Sequence, residues 1–332
     1  MIREIVPGAL FELRDVNSRG LDKGGYGLTR SAIERANDDA DLIIVGGSNL
    51  YEGAFGWPWG VHLDLEALKD LHVPLFLVGV GTGSSFHSRL HKPSARAKLE
   101  IKSLNERAVL SGARDVTTLE WLHELGVPKA KLMGDPATFI FNHPLKQTNV
   151  GHVLITVPPR RVWSNKRQFW KVRTNGRALF HGLVKLTREL LEKGEQVVVA
   201  CNDPLDLPVA QRLFNWLPTV LCPATPDEYF QLLSKSRALI SARLHTAVVA
   251  FSLGIPFLLI DIDQRTHGFL RTYQLEGSSI PPTSSAMALL SKQAETLLLK
   301  EQSETWQTHI AKRDHMHSVA MKLLKSALKS VG

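Results

Sequence analysis

Short β-branched or leucine-rich runs alternate along the chain with amphipathic stretches, a pattern that predicts parallel strands joined by helices. In the first half, Asp41-Leu-Ile-Ile-Val45 runs into Gly46-Gly47-Ser48, and Leu75-Phe-Leu-Val-Gly79 runs into Val80-Gly81-Thr82-Gly83. Each reads as a strand that stops at a glycine turn. A short apolar strand, Ala108-Val-Leu110, precedes Gly112-Ala-Arg114-Asp115. A helix then starts near Thr117, carries Leu119, Leu122 and Leu125, and ends at Gly126 and Pro128. Gly134-Asp135-Pro136-Ala137 follows one more short strand.

The polar segment from Asn142 to Gly151 breaks the alternation, which then restarts. Val153–Val157 is a strand, Leu179–Glu192 a helix closed by Gly194, and Gln196–Ala200 the next strand. Thr225-Pro-Asp-Glu228 is a capping-box start with proline at the first helical position, followed by the apolar face Tyr229, Leu232 and Leu233. Leu239–Ala242 is a strand, His245–Leu253 a helix stopped by Gly254 and Pro256, and Phe257–Asp261 a strand. From Ala286 onward, Leu289, Leu290, Leu297, Leu298, Leu323, Leu324 and Leu328 recur at helical spacing. The expected architecture is α/β: two doubly wound, Rossmann-like lobes with parallel sheets, residues 1–145 and 146–285, and a C-terminal helical segment, 286–332, packed on them.

At 332 residues and 44% hydrophobic, the chain can bury a core in each of two domains. Its most apolar stretch, Ala238 to Asp261, is interrupted by Arg243 and His245 and falls short of a membrane span. The charged opening MIREIVPGALFELRD lacks the apolar centre of a signal peptide, and Cys201 and Cys222 make neither a disulfide framework nor a metal cluster. A cytoplasmic protein is expected. The net charge of +8 favours an anionic ligand or surface. It is concentrated between Arg160 and Arg177, where Arg160, Arg161, Lys166, Arg167, Lys171, Arg173 and Arg177 interleave with Trp163, Phe169 and Trp170. Such a run suits a pyrophosphate-linked or acidic glycan, or anionic lipid headgroups at the inner face of a membrane. It also suits a solvated basic loop.

Ligands of open parallel sheets bind beyond the carboxyl ends of the strands, so the residues just after strands are the candidates for chemistry. Gly47, Ser48 and Asn49, and Gly81, Thr82 and Gly83, can bring backbone amides to an anion or can simply be tight strand ends. Neither turn matches the dinucleotide fingerprint, and no GxxxxGK[ST] occurs. Arg114 beside Asp115 reads as an anion contact or a structural ion pair. Ser241-Ala-Arg243-Leu244-His245-Thr246 falls where a strand gives way to a helix. That placement sets Arg243 and His245, with Leu244 between them, at the positive end of a helix dipole. Arg265 and His267 lie in the stretch after the last strand, expected as a loop at the same edge. There they would complete an anion clamp or pair with Asp261 and Asp263.

The order of these motifs, Asp41 to Gly47, Val78 to Gly81, Arg114-Asp115, Gly134 to Ala137, Arg243 to His245 and Gly254 to Pro256, resembles the polysaccharide pyruvyl transferase family. The resemblance implies a GT-B-like fold of two Rossmann-like lobes with a cleft between them. It further implies transfer of pyruvate from phosphoenolpyruvate onto sugar hydroxyls as a ketal. By the same resemblance Arg114 and Arg243 bind the donor's phosphate and carboxylate, and His245 is the general acid. The chain departs from the family in its opening, where Lys23-Gly24-Gly25-Tyr26-Gly27 stands for a glycine- and asparagine-rich turn, and at Arg265, where lysine is commoner.

The chemistry agrees with those roles. An enol phosphate becomes electrophilic at C2 once its methylene carbon is protonated, which calls for a positioned acid and for cations around a trianionic donor. No cofactor and no metal is required, phosphoenolpyruvate being a substrate. The acceptor is a sugar or glycan, lipid- or nucleotide-linked, for which Trp57, Trp59 and the Trp163–Trp170 stretch offer stacking faces. The alternative on the same fold is a nucleotide-sugar-dependent glycosyltransferase of polysaccharide biosynthesis. Against it, no acidic residue except Glu276 stands where a ribose would be held after the final strand. A nucleic-acid-binding protein would also account for the charge, but no recognition motif accompanies it.

Overall fold

The computed structural model describes residues 1–13, 27–47, 49–51, 63–82, 93–140, 151–158, 170–217, 220–262, 264–299 and 304–332. Contacts divide the chain into two units. The first holds Met1–Pro136, Asp263–Tyr273 and Arg313–Gly332; the second holds Ala137–Ile262 and Gln274–Lys312. The first unit thus carries its sheet up to Pro136 and draws on two later segments of the chain.

In the first unit, helix α1 (Ile2–Ile5) and helix α2 (Arg30–Asp39) precede strand β1 (Ile43–Gly46). Helix α3 (Leu65–Lys69), strand β2 (Leu75–Val80), helix α4 (Ala95–Arg107), strand β3 (Leu110–Ala113), helix α5 (Val116–Glu124) and strand β4 (Lys131–Leu132) follow. The strands pair in parallel in the order β1-β2-β3-β4. That order follows the chain with no reversal among the described residues. Each crossover helix steps the chain one strand further in the same direction. Leu75, Leu77 and Val80 of β2 pack with Leu104 of α4 and Trp121 and Leu122 of α5 in one buried cluster. The pairing of β2 with β3 shifts register between Leu77 and Val80, where Gly79 takes φ +61°.

Helix α5 is well specified locally. Asp115 Oδ1 accepts from the Thr118 amide at 2.7 Å as the N-cap, and Gly126 at φ +81° closes the far end. Onto it packs α6 (Gln264–Tyr273), which corrects the expected loop at Arg265 and His267. The segment is helical because Thr266, Phe269, Leu270 and Tyr273 form a buried face at helical spacing. Thr272 Oγ1 accepts from the Val116 amide at 3.0 Å, and Arg271 forks onto both oxygens of Glu120 at 2.9 and 3.0 Å.

The second unit contains strand β5 (His152–Thr156), helix α7 (Trp170–Glu192), strand β6 (Val197–Ala200), helix α8 (Leu207–Leu213) and strand β7 (Val220–Leu221). It continues through helix α9 (Pro226–Ser234), strand β8 (Ser236–Ser241), helix α10 (Leu244–Ser252), strand β9 (Phe257–Ile260) and strand β10 (Ser279–Ile280). All pairings are parallel, in the order β10-β9-β8-β5-β6-β7. The order reverses at β5: the chain builds outward through β6 and β7, then returns to the other side of β5 with β8. Adjacent strands whose connections diverge in this way leave a crevice at their carboxyl ends. Here that crevice lies between Thr156 and Ser241, whose hydroxyls meet at 2.6 Å.

Helix α11 (Ser284–Ala288) and helix α12 (Leu290–Leu299) pack on α7, burying Met287, Leu290, Ala294 and Leu297. The last helix, α13 (Glu304–Lys329), begins in the second unit, where Trp306 donates to Gly254 O at 2.8 Å and meets Phe251 and Phe257 edge-on. Among the described residues no helix is long and apolar enough to cross a membrane.

His152, at the start of β5, bonds Ser236 Oγ through Nε2 at 2.9 Å, and burial, with Lys235 nearby, holds its pKa below the usual value. A depressed histidine pKa means that the unfolded chain takes up a proton first, so stability falls as pH drops below about 6.5. Urea unfolding from pH 7.5 to 5.5 is expected to show this loss, and His152→Gln should flatten that part of the profile.

Candidate active site

In the first unit Arg114 follows directly on β3 and is 3% exposed. Its Nε donates to Asp115 Oδ2 at 3.2 Å and lies 3.9 Å from Asp135 Oδ2; its Nη2 reaches Thr82 O at 3.5 Å. The guanidinium lies on the bare face of Gly81, where an added Cβ would stand 2.5 Å from Cζ. On the other side Gly268 of α6 leaves room for the Asp115 carboxylate, which a Cβ there would meet at 2.7 Å. Asp135 is fixed by the turn that Gly134 makes at φ +84° and by Pro136, whose ring packs on Gly79. Nη1 of Arg114 is buried with no hydrogen-bond partner among the described residues. A buried guanidinium N–H without an acceptor is costly, and an oxyanion would satisfy it. Arg114 thus forms a buried ion pair with Asp115.

The glycine turns have their amides bonded within the fold. The Gly47 amide donates to Val78 O at 3.0 Å, and the Thr82 amide donates to Thr118 Oγ1 at 3.0 Å, so neither is available to an anion. Gly81 is covered by Arg114, and its role is to admit that side chain. Asn49 is half-buried, while Ser48 and Gly83 lie outside the described residues. Trp57, Trp59 and residues 160–169 also lie outside them. Arg265 is half-buried and His267 exposed, both on α6 in the unit of Arg114.

In the second unit Ser241 ends β8 and Arg243 is the N-cap residue of α10. The Ser241 hydroxyl accepts from the Arg243 amide at 2.9 Å and bonds Arg243 O at 3.2 Å, which sets the sharp turn from strand to helix. An arginine at this position cannot accept a hydrogen bond, and α10 has no side-chain cap. Its first amides carry the positive end of the helix dipole and have no intrahelical acceptor. Leu244 buries its side chain, so only its backbone can meet a ligand, whereas His245, one residue on, is exposed. Arg243 Nη2 is bound by the Asp206 carboxylate, and its Nε is buried with no hydrogen-bond partner among the described residues.

Around this elbow lies a polar network that sequence reasoning missed. Thr246 Oγ1 accepts from Asn202 Nδ2 at 2.9 Å and meets the Tyr229 hydroxyl at 3.2 Å. Burial raises the Tyr229 pKa, against the opposing hydrogen bonds of Thr246 and Asn202, so the phenol stays protonated. Burial, with Cys222 and Asp206 nearby, pushes the Cys201 thiol up to about 12, which leaves it no nucleophilic thiolate at neutral pH. Among the described residues no three histidine, cysteine, aspartate or glutamate side chains are grouped as a metal site.

The sheet topology has relatives among solved structures. A candidate UDP-N-acetylglucosamine 2-epimerase from Listeria monocytogenes matches with a TM-score of 0.60 at 14% identity, over 91% of this chain and 77% of that one. The UDP-GlcNAc 2-epimerase from Neisseria meningitidis bound to UDP-GlcNAc matches with a TM-score of 0.54 at 14% identity, over 90% and 79%. A glycosyltransferase from Rickettsia africae matches with a TM-score of 0.52 at 12% identity, over 91% and 78%. These likenesses show a GT-B-like fold of two Rossmann-like units. A search of curated protein sequences finds no match. The sequence profile of the polysaccharide pyruvyl transferases, however, matches residues 5–264, a span that takes in Arg114, Asp135, Arg243 and His245. With most of its length and both arginine elbows inside that match, the chain belongs to the polysaccharide pyruvyl transferase family of transferases.

Proposed function

We propose that this protein transfers pyruvate from phosphoenolpyruvate onto two hydroxyls of a sugar in a polysaccharide or its precursor, closing a ketal. The observation that carries this reading is the elbow at Arg243. An uncapped helix N-terminus, a guanidinium with a buried unmet donor and an exposed histidine stand within three consecutive residues at the switch point of the sheet. Arg243 and the first amides of α10 hold the donor's anionic groups, with His245 as the acid, and Arg114 is an anion-binding guanidinium of the first unit.

In the reaction His245 gives its proton to the methylene carbon of phosphoenolpyruvate, and the electron pair of the double bond forms the new C–H bond. A sugar hydroxyl oxygen bonds to C2 and releases its proton to solvent. The C2–O bond to phosphate then breaks with its electrons leaving on phosphate, and a second hydroxyl bonds to C2, giving its proton to the departed phosphate, to complete the ketal. Electrostatic hold on the departing phosphate favours the cleavage. The donor site takes no metal in this scheme.

Isothermal titration of phosphoenolpyruvate, UDP, GDP and CMP tests the proposal on the wild type and on Arg243→Ala. Phosphoenolpyruvate is expected to bind, and the variant to lose that binding. Binding of a nucleotide with no response to phosphoenolpyruvate would replace the proposal with a nucleotide-sugar-dependent glycosyltransferase.

A further inference from the structure

Asp206 lies in the turn after β6, on the far side of β5 from β8, and is 2% exposed. The turn itself is built locally: Asp203 Oδ1 accepts from the Leu205 amide at 2.9 Å, and Asp203 O accepts from the Asp206 amide at 2.9 Å. Asp206 is then the N-cap residue of α8, a position where aspartate ordinarily accepts from a helix amide. Here it makes no such cap. Its carboxylate instead crosses the end of β5 to bind Arg243 Nη2, thirty-seven positions further along the chain. Two helix N-cap residues on either side of the switch point, neither capping its own helix, are thus joined to each other.

A guanidinium on a long stem has many rotamers, and a site that must present one N–H to a ligand needs the others held. Binding at Nη2 by a buried carboxylate fixes the plane of the group and leaves Nε, buried and without a hydrogen-bond partner among the described residues, as the donor still to be satisfied. We propose that Asp206 is the positioning residue of the anion elbow, setting the aim of Arg243 for the phosphate or carboxylate of the donor. This rests on the reading of the elbow given above. Asp206 touches no reacting atom; it acts through Arg243.

The test is titration of inorganic phosphate and phosphoenolpyruvate against wild type, Asp206→Ala, Asp206→Asn, Arg243→Ala and the double variant Arg243→Ala/Asp206→Ala, each with a thermal unfolding curve. Asparagine keeps an acceptor oxygen for Nη2. Asp206→Asn is therefore expected to bind phosphate within about threefold of wild type, and Asp206→Ala to bind about tenfold more weakly or worse. Removing both ends of the pair should give a higher unfolding midpoint than Arg243→Ala alone, which strands a buried carboxylate. The inference falls if Asp206→Ala binds phosphate like the wild type while Arg243→Ala does not. It also falls if asparagine is as weak as alanine, or if weakening follows only the loss of folded protein. Wild-type binding of both ligands by Arg243→Ala would instead defeat the elbow as a donor site.

Discussion

His245→Asn is expected to lower the rate of phosphate release from phosphoenolpyruvate, in the presence of a pyranose acceptor, by about 10²–10⁴-fold. Donor binding should stay close to that of the wild type. His245 is the one exposed residue of α10, between Leu244 and Thr246, both buried, so exchanging its side chain should change stability by no more than about 0.5 kcal/mol. A lost rate with unchanged binding would identify a group used only in the transition state. Lost binding would make His245 an anion contact, and an unchanged rate would require another acid.

The second large effect is expected at Gly79. An alanine Cβ there would come within 2.4 Å of Pro136 Cδ and 2.8 Å of Cγ, with the backbone at φ +61°. The left-handed conformation costs a β-carbon-bearing residue about 1–2 kcal/mol, and overpacking against a rigid ring adds about 1–3 kcal/mol. Gly79→Ala should therefore lower the unfolding free energy by about 2–5 kcal/mol in urea titrations. Gly81→Ala makes the informative contrast. Its Cβ would also clash, 2.5 Å from Arg114 Cζ, but the obstacle is the end of a flexible side chain that can move aside. Stability should fall less than in Gly79→Ala, while phosphate affinity falls because Arg114 is pushed off Asp115. Equal stability losses in the two variants would mean that Arg114 cannot yield.

How far the sequence disclosed these sites depends on the range of the contacts involved. The strands ending at Gly46, Val80, Thr156, Ala200, Ser241 and Ile260 are legible because apolar runs meeting glycine, proline or polar turns are local signals. The elbow at Arg243 is legible for the same reason, since strand, turn and helix adjoin in the chain. The two-residue strands β7 and β10 are too short to show any period. Asp206 escapes because its partner is thirty-seven positions away, and an Asp-Pro-Leu-Asp turn looks like any helix start. The helical spacing of Thr266, Phe269, Leu270 and Tyr273 in the segment 264–273 is masked in the sequence by its charged residues Arg265 and His267. The amides of Gly47 and Thr82 could not be assigned from sequence, since their acceptors are settled only when neighbouring strands and α5 are in place.

The makeup of the first unit also bears on the order in which the protein can be assembled as it is made. Its four-stranded sheet lies in the first part of the chain, yet the helix that caps the Val116 amide and makes room for Asp115 is formed by residues 264–273. Residues 313–332 also belong to it. A nascent chain leaving the ribosome would therefore complete β5 to β9 of the second unit before Arg114 acquired its full surroundings. Domains generally fold as units with the N-terminal one first during synthesis. Here the unit that begins the chain must wait for its end, and Val116 and Thr272, 156 positions apart, mark the span of that wait.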